Sequence, residues 1–253
     1  MTVKSLGASL LALWLVLPSG AQAATDVYLL AGQSNMAGRG ELTPSNRLDL
    51  SGVMMLNASN VWVAAAEPIH FDKPWCAGAG LAASFAADMR AADRSVTVGL
   101  VPCAMGGTPI AKWMPPDAVY FTNAVQRTRA ALKSSGGRLR AILWHQGEGD
   151  CSKKGLAVYP ERLKALVAAL RQEFGKDVPF VAGELQQGRP LYDEYNRLLH
   201  ETIREIPNAV WVSSEGLTAK SDKVHFNTPS LRTFGHRYAE GLRRLEGEMS
   251  KKK

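Results

Sequence analysis

The chain has 253 residues, 46% of them apolar and 21% charged, with 23 glycines and 13 prolines, a composition that excludes disordered, collagen-like and coiled-coil chains. Its formal charge is +7, but Lys251, Lys252 and Lys253 form a terminal run and Lys4 lies in a leader; without these four the body carries +3. Lysine and arginine are nowhere clustered with interleaved aromatics, so no nucleic acid is expected as a partner.

The first elements are Lys4, an apolar run from Leu6 to Leu17, a Pro18-Ser19-Gly20 break and Ala21-Gln22-Ala23. Together they predict a secretory signal peptide over residues 1–23, cleaved near Ala23 or Ala24, and hence a secreted or periplasmic chain. A retained anchor is the alternative, but the apolar run falls short of the roughly 20 residues that span a bilayer, and no later stretch is apolar enough. Cys76, Cys103 and Cys151 follow, an odd count that allows at most one internal bridge in an oxidising compartment. Their spacing fits no compact zinc pattern. Cys103 reads as a small apolar residue at a strand end in preference to a nucleophile.

Residues 24–250 read as a single domain in which short β-branched runs alternate with longer segments of helical period. Strands are expected at Val27–Ala31, Val96–Val101, Ala141–Trp144, Pro179–Gly183 and Ala209–Ser213. Helices are expected at Leu81–Ala91, Ala118–Leu132, Pro160–Phe174, Tyr192–Glu205 and Pro229–Met249. In the third of these, Leu163, Leu166, Val167 and Leu170 recur at spacings of three and four and form an apolar stripe. Between Glu41 and Lys73 the alternation loosens, and Val53–Leu56 with Val61–Ala65 reads as a small extra hairpin. This order predicts crossover connections and a parallel sheet of about five strands covered on both faces, an α/β fold.

In an open parallel sheet, ligands bind beyond the carboxyl ends of the strands. There the sequence places Gly32-Gln33-Ser34-Asn35-Met36, Cys103-Ala104-Met105-Gly106-Gly107-Thr108, His145-Gln146-Gly147-Glu148-Gly149-Asp150 and Asp222-Lys223-Val224-His225-Phe226. Ser34 can also be read as an ordinary turn serine, and the glycine pair as an ordinary turn. Jointly, the blocks supply a hydroxyl nucleophile, a base, an acid that orients the base and several oxyanion donors. Asp222 and His225, three apart in one loop, can bond carboxylate to imidazole, which lets the ring take a proton from Ser34. Candidate oxyanion donors are the N–H groups of Ser34, Gly106 and Gly107 and the side-chain amide of Gln146.

These four blocks, in this order, resemble those of the SGNH hydrolase superfamily, in particular its sialate O-acetylesterase-like and family 6 acetylxylan esterase branch. The resemblance spans residues 26–226. It implies a flavodoxin-like three-layer α/β/α fold and hydrolysis of acetyl esters on sugars, without a cofactor. Carried over by position, Ser34 is the nucleophile, His225 the base, Asp222 the acid and a glycine of Gly106-Gly107 an oxyanion donor. Gln146 stands where the superfamily name has asparagine, and Glu148 is the rival to Asp222 as the acid. A lipase or thioesterase of the same superfamily and a non-catalytic carbohydrate-binding protein are the alternatives.

His145 and Glu148 could touch a metal but find no clear third ligand in His70, His200 or His236, so no metal is expected. His236 reads as a surface or packing residue. Trp62, Trp75 and Trp113 suit either sugar stacking or packing. The lysine tail could hold the chain to an anionic polymer or membrane surface.

Overall fold

Each run of β-branched and apolar residues that the sequence separates with a helical segment becomes one strand of a common sheet. In a computed structural model, which describes residues 24–252, these are β1 (Thr25–Gly32), β2 (Val53–Leu56), β3 (Trp62–Ala64), β4 (Thr97–Pro102), β5 (Arg138–His145), β6 (Phe180–Gly183) and β7 (Ala209–Val212). The predicted signal peptide lies outside the described residues. The strand order is β3-β2-β4-β1-β5-β6-β7, and every pairing is parallel except β2 with β3. Without the hairpin strands, the order β4-β1-β5-β6-β7 is the doubly wound flavodoxin-like arrangement. Its winding reverses between β1 and β5, which opens a crevice at their carboxyl ends.

The alternation within β1 shows why the sheet is covered on both faces. Val27, Leu29 and Ala31 pack under α3 (Val119–Ser135), α4 (Lys153–Phe174) and α5 (Pro190–Glu205). Tyr28 and Leu30 point the other way, towards α2 (Leu81–Ala92) and α6 (Thr228–Ser250). The short helix α1 (Ser34–Ala37) follows β1 directly. Full burial of one leucine-sized side chain contributes about 1.5–3 kcal/mol, so a central strand buried on both sides is the anchor of the fold.

The sheet has seven strands where about five are expected. The five expected strands are present, and the predicted hairpin adds the other two by joining the sheet at β4 through the Val53, Met54 and Met55 pairings. Helix α4 starts before Pro160, because Ser152 caps it by accepting the Gly155 N–H at 3.1 Å. Pro160 is thus internal to the helix and costs it one hydrogen bond. All three cysteines are free, and burial pushes the Cys103 thiol up to about 12, which suits packing and not nucleophilic attack. Among the described residues, no helix is long and apolar enough to cross a membrane.

Candidate active site

At the carboxyl end of β1 the chain passes so close to β5 that a β-carbon on Gly32 would overlap the His145 carbonyl, and its φ is +130°. Gln33 N–H then donates to that carbonyl at 2.9 Å, and Ser34 opens α1. As the first residue of the helix, Ser34 has no carbonyl one turn back within it to receive its N–H. The hydroxyl of Ser34 lies 3.0 Å from His225 Nε2, across 191 residues of chain. His225 Nδ1 lies 2.9 Å from Asp222 Oδ2.

The loop that carries this pair is set by local geometry. Asp222 Oδ1 accepts the backbone N–H groups of Val224 and His225, both at 2.9 Å. Lys223 between them has φ +56°, the left-handed conformation that folds the loop back on itself. Partial burial pushes the Asp222 carboxyl up, but the N–H groups of His225 and Val224 and the His225 ring outweigh it and hold the group down at about 2. An ionised Asp222 fixes the Nδ1–H tautomer and leaves the Nε2 lone pair facing the serine hydroxyl.

Glu148, the rival acid, does not reach His225. Its Oε1 accepts from Asn35 Nδ2 at 2.5 Å and lies 3.8 Å from His145 Nε2. Burial raises its carboxyl, while His145 and Asn35 lower it further, so the net displacement is downward and the group is ionised.

The oxyanion candidates separate on the same grounds. Gly106 N–H is spent on Asp72 Oδ2 at 2.9 Å, and that carboxylate also holds the Arg39 guanidinium at 2.5 Å. Gly107, at φ +77°, has no such partner among the described residues and lines the cavity beside Ser34. Gln146 differs from expectation. Its side chain is fully buried beneath the cavity, and Nε2 faces Asp150 Oδ2 at 2.6 Å and Gln33 Oε1 and Thr108 O at 3.1 Å. Two amide hydrogens facing three acceptors leave none for a substrate oxyanion. Gln146 instead ties the loops after β1, β4 and β5 together.

The cavity above Ser34 measures about 980 Å³ and is walled by Arg39, Glu41, Lys73, Trp75, Tyr192 and Lys220. Trp75 is 81% exposed at its rim. Trp113 is buried with its Nε1–H on Thr108 Oγ1, and Trp62 packs on the core from β3. His236 pairs with Asp88 on the surface at 2.7 Å. Among the described residues, no three metal-ligating side chains converge. The sequence reading gave no role to Gln33, Asn35, Asp72 or Asp150, although Gln33 and Asn35 flank the serine in the first block.

Residues 24–244 match the family model described as carbohydrate esterase, sialic acid-specific acetylesterase. The chain belongs to this carbohydrate esterase family. It is a carboxylic ester hydrolase. A probable carbohydrate esterase of Arabidopsis thaliana is 31% identical, over 80% of this chain and 84% of its own. The crystal structure of that plant protein superposes with a TM-score of 0.77, at 28% identity, over 87% of this chain and 98% of that one. The crystal structure of NanS shares the fold with a TM-score of 0.71, at 17% identity, over 89% and 98% of the two chains. A carbohydrate acetylesterase from Xanthomonas citri does so at 0.64 and 23% identity, covering 87% of this chain and 56% of its own.

Proposed function

We propose that the protein is a secreted serine esterase that removes acetyl groups from O-acetylated carbohydrate through an acyl-enzyme. The observation that carries this reading is the run of short contacts from Asp222 to His225 to Ser34 at the floor of a wide cavity with charged residues in its walls. Ser34 Oγ attacks the ester carbonyl while His225 Nε2 takes its proton. The N–H groups of Ser34 and Gly107 receive the oxyanion, each donor worth about 3 kcal/mol. His225 then gives the proton to the departing sugar oxygen, and water activated by the same imidazole releases acetate. Asp222 stabilises the imidazolium in both halves.

The charged walls suit sugar hydroxyls better than a fatty chain, and the exposed indole of Trp75 offers a stacking face for a pyranose. Export rests on the leader of residues 1–23. The deciding experiment is acetate release from an aryl acetate by the purified protein, beside Ser34→Ala and an aryl ester of a long acyl chain. The reading expects preference for acetate and loss of activity in Ser34→Ala. A long-chain preference would make it a lipase or thioesterase, and equal inactivity of both folded proteins a carbohydrate-binding protein.

A further inference from the structure

Asn35, next to the serine, is buried and uses both edges of its carboxamide. Its Nδ2 donates to Glu148 Oε1 at 2.5 Å and to the Val224 carbonyl at 3.0 Å, while its Oδ1 accepts the Phe226 N–H at 3.0 Å. Val224 and Phe226 are the two neighbours of His225. One side chain thus grips the backbone on both sides of the base, from the first turn of the helix that Ser34 opens.

The amide has one orientation in which all three bonds form. On one side stand two acceptors, the Glu148 carboxylate and the Val224 carbonyl; on the other stands a donor, the Phe226 N–H. A flipped amide would set its oxygen against an ionised carboxylate and its NH2 against an N–H. Glu148 therefore acts as the key that selects the orientation. It is itself nearly sealed, at 5% side-chain exposure, with Oε2 unpartnered and His145 behind it. The Tyr238 hydroxyl donates to the Trp144 carbonyl at 2.8 Å and stands 3.1 Å from His145 Nδ1, which fixes the ring.

We infer that Asn35 and Glu148 form a clamp that holds the His225 backbone in register with Ser34, with Glu148 acting through Asn35 and never through the imidazole. Both are positioning residues. The inference rests on the serine-esterase reading, and it gives the acidic residue of the His145-Gln146-Gly147-Glu148 block a task other than orienting the base.

The test compares Asn35→Ala, Glu148→Ala, their double variant and Glu148→Gln on an aryl acetate, with thermal unfolding as the folding control. Displacement of a reacting group by about 1 Å costs on the order of a hundredfold, so each alanine variant is expected to lose about 30- to 100-fold in kcat with KM within about twofold. The double variant is expected to fall within about threefold of the worse single one, because both changes release the same loop. Glu148→Gln keeps an oxygen that can accept from Asn35 and is expected within about fivefold of the wild type. As a triad acid it would instead lose about 10⁴-fold.

Multiplicative losses in the double variant, an unchanged kcat in either single variant, or equal damage from Glu148→Gln and Glu148→Ala would each overturn the clamp. If the alanine variants do not fold, Asn35→Asp replaces them. The introduced carboxylate faces Glu148, activity falls, and adding Glu148→Gln is expected to recover at least about tenfold; no recovery overturns the inference. Full activity in Ser34→Ala would instead remove the serine reading beneath it, whereas an inactive Ser34→Ala with multiplicative clamp losses removes the clamp alone.

Discussion

The two ends of the central sheet are both polar, and they are finished in opposite ways. At the amino ends, Asp26 of β1 is buried and receives Arg138 Nε at 2.7 Å and Arg140 Nη1 at 2.8 Å, while Arg140 also grips Glu246 of α6 through two bonds. Four charges from three elements balance one another. At the carboxyl ends of the same two strands, His145 Nε2, Gln146 Oε1 and Glu148 Oε2 are buried without partners among the described residues, as are both ring nitrogens of His70 and Asp72 Oδ1 nearby. A buried polar atom left unpaired costs about 1–3 kcal/mol. The amino end stabilises the sheet, and the carboxyl end gives up stability to hold Ser34, His225 and their supports in a fixed arrangement.

That contrast predicts which property each change will move. The largest effect is expected from Ser34→Ala, which should lower kcat/KM on an aryl acetate by about 10³- to 10⁴-fold while leaving the urea midpoint where it was. A shifted midpoint with retained activity would reverse the roles of the two ends. Arg140→Met should do the opposite. It removes the partner of Glu246 and one of the two on Asp26, which keeps Arg138, and should cost about 2 kcal/mol in urea unfolding, with kcat/KM per folded molecule unchanged.

His70 sharpens the comparison through pH. Burial pushes its imidazole down to about 4, against the attraction of Asp72. The unfolded chain takes up that proton near the ordinary histidine value of about 6.5. Between these two values the unfolded state binds more protons, so stability is lost as pH falls. His70→Gln should remove about 2 kcal/mol of the difference in unfolding free energy between pH 7 and pH 5. An unchanged pH slope would show that His70 takes up its proton in the folded chain as readily as in the unfolded one. The smallest effect is expected at the rim, where Trp75→Ala should raise KM for an acetylated oligosaccharide about fivefold and leave KM for an aryl acetate unaltered.

Ser34, His225 and Asp222 are legible in the sequence because a strand end fixes the first and a three-residue spacing fixes the other pair. The five main strands are legible for a similar reason, since their apolar runs are separated by amphipathic helices. Other features depend on partners remote in the chain. Gly106 and Gly107 look alike until Asp72, 34 residues away, takes the N–H of one of them. Gln146 looks like a donor aimed at substrate until Asp150, Gln33 and Thr108 occupy it from below. The β2–β3 hairpin is visible locally, but its place on the edge of the main sheet is set by pairing with β4, over 40 residues later.

The separation of 191 positions between Ser34 and His225 also sets when the two can meet. β1 is the first strand made and lies at the centre of the sheet, yet its neighbours β4 and β5 come much later, and His225 arrives only after β7. A chain that ends before residue 222 has Ser34 but neither Asp222 nor His225 to face it. On the proposed mechanism, turnover is the last property this chain acquires as it winds up, and acetate release would measure completed folding as directly as it measures chemistry.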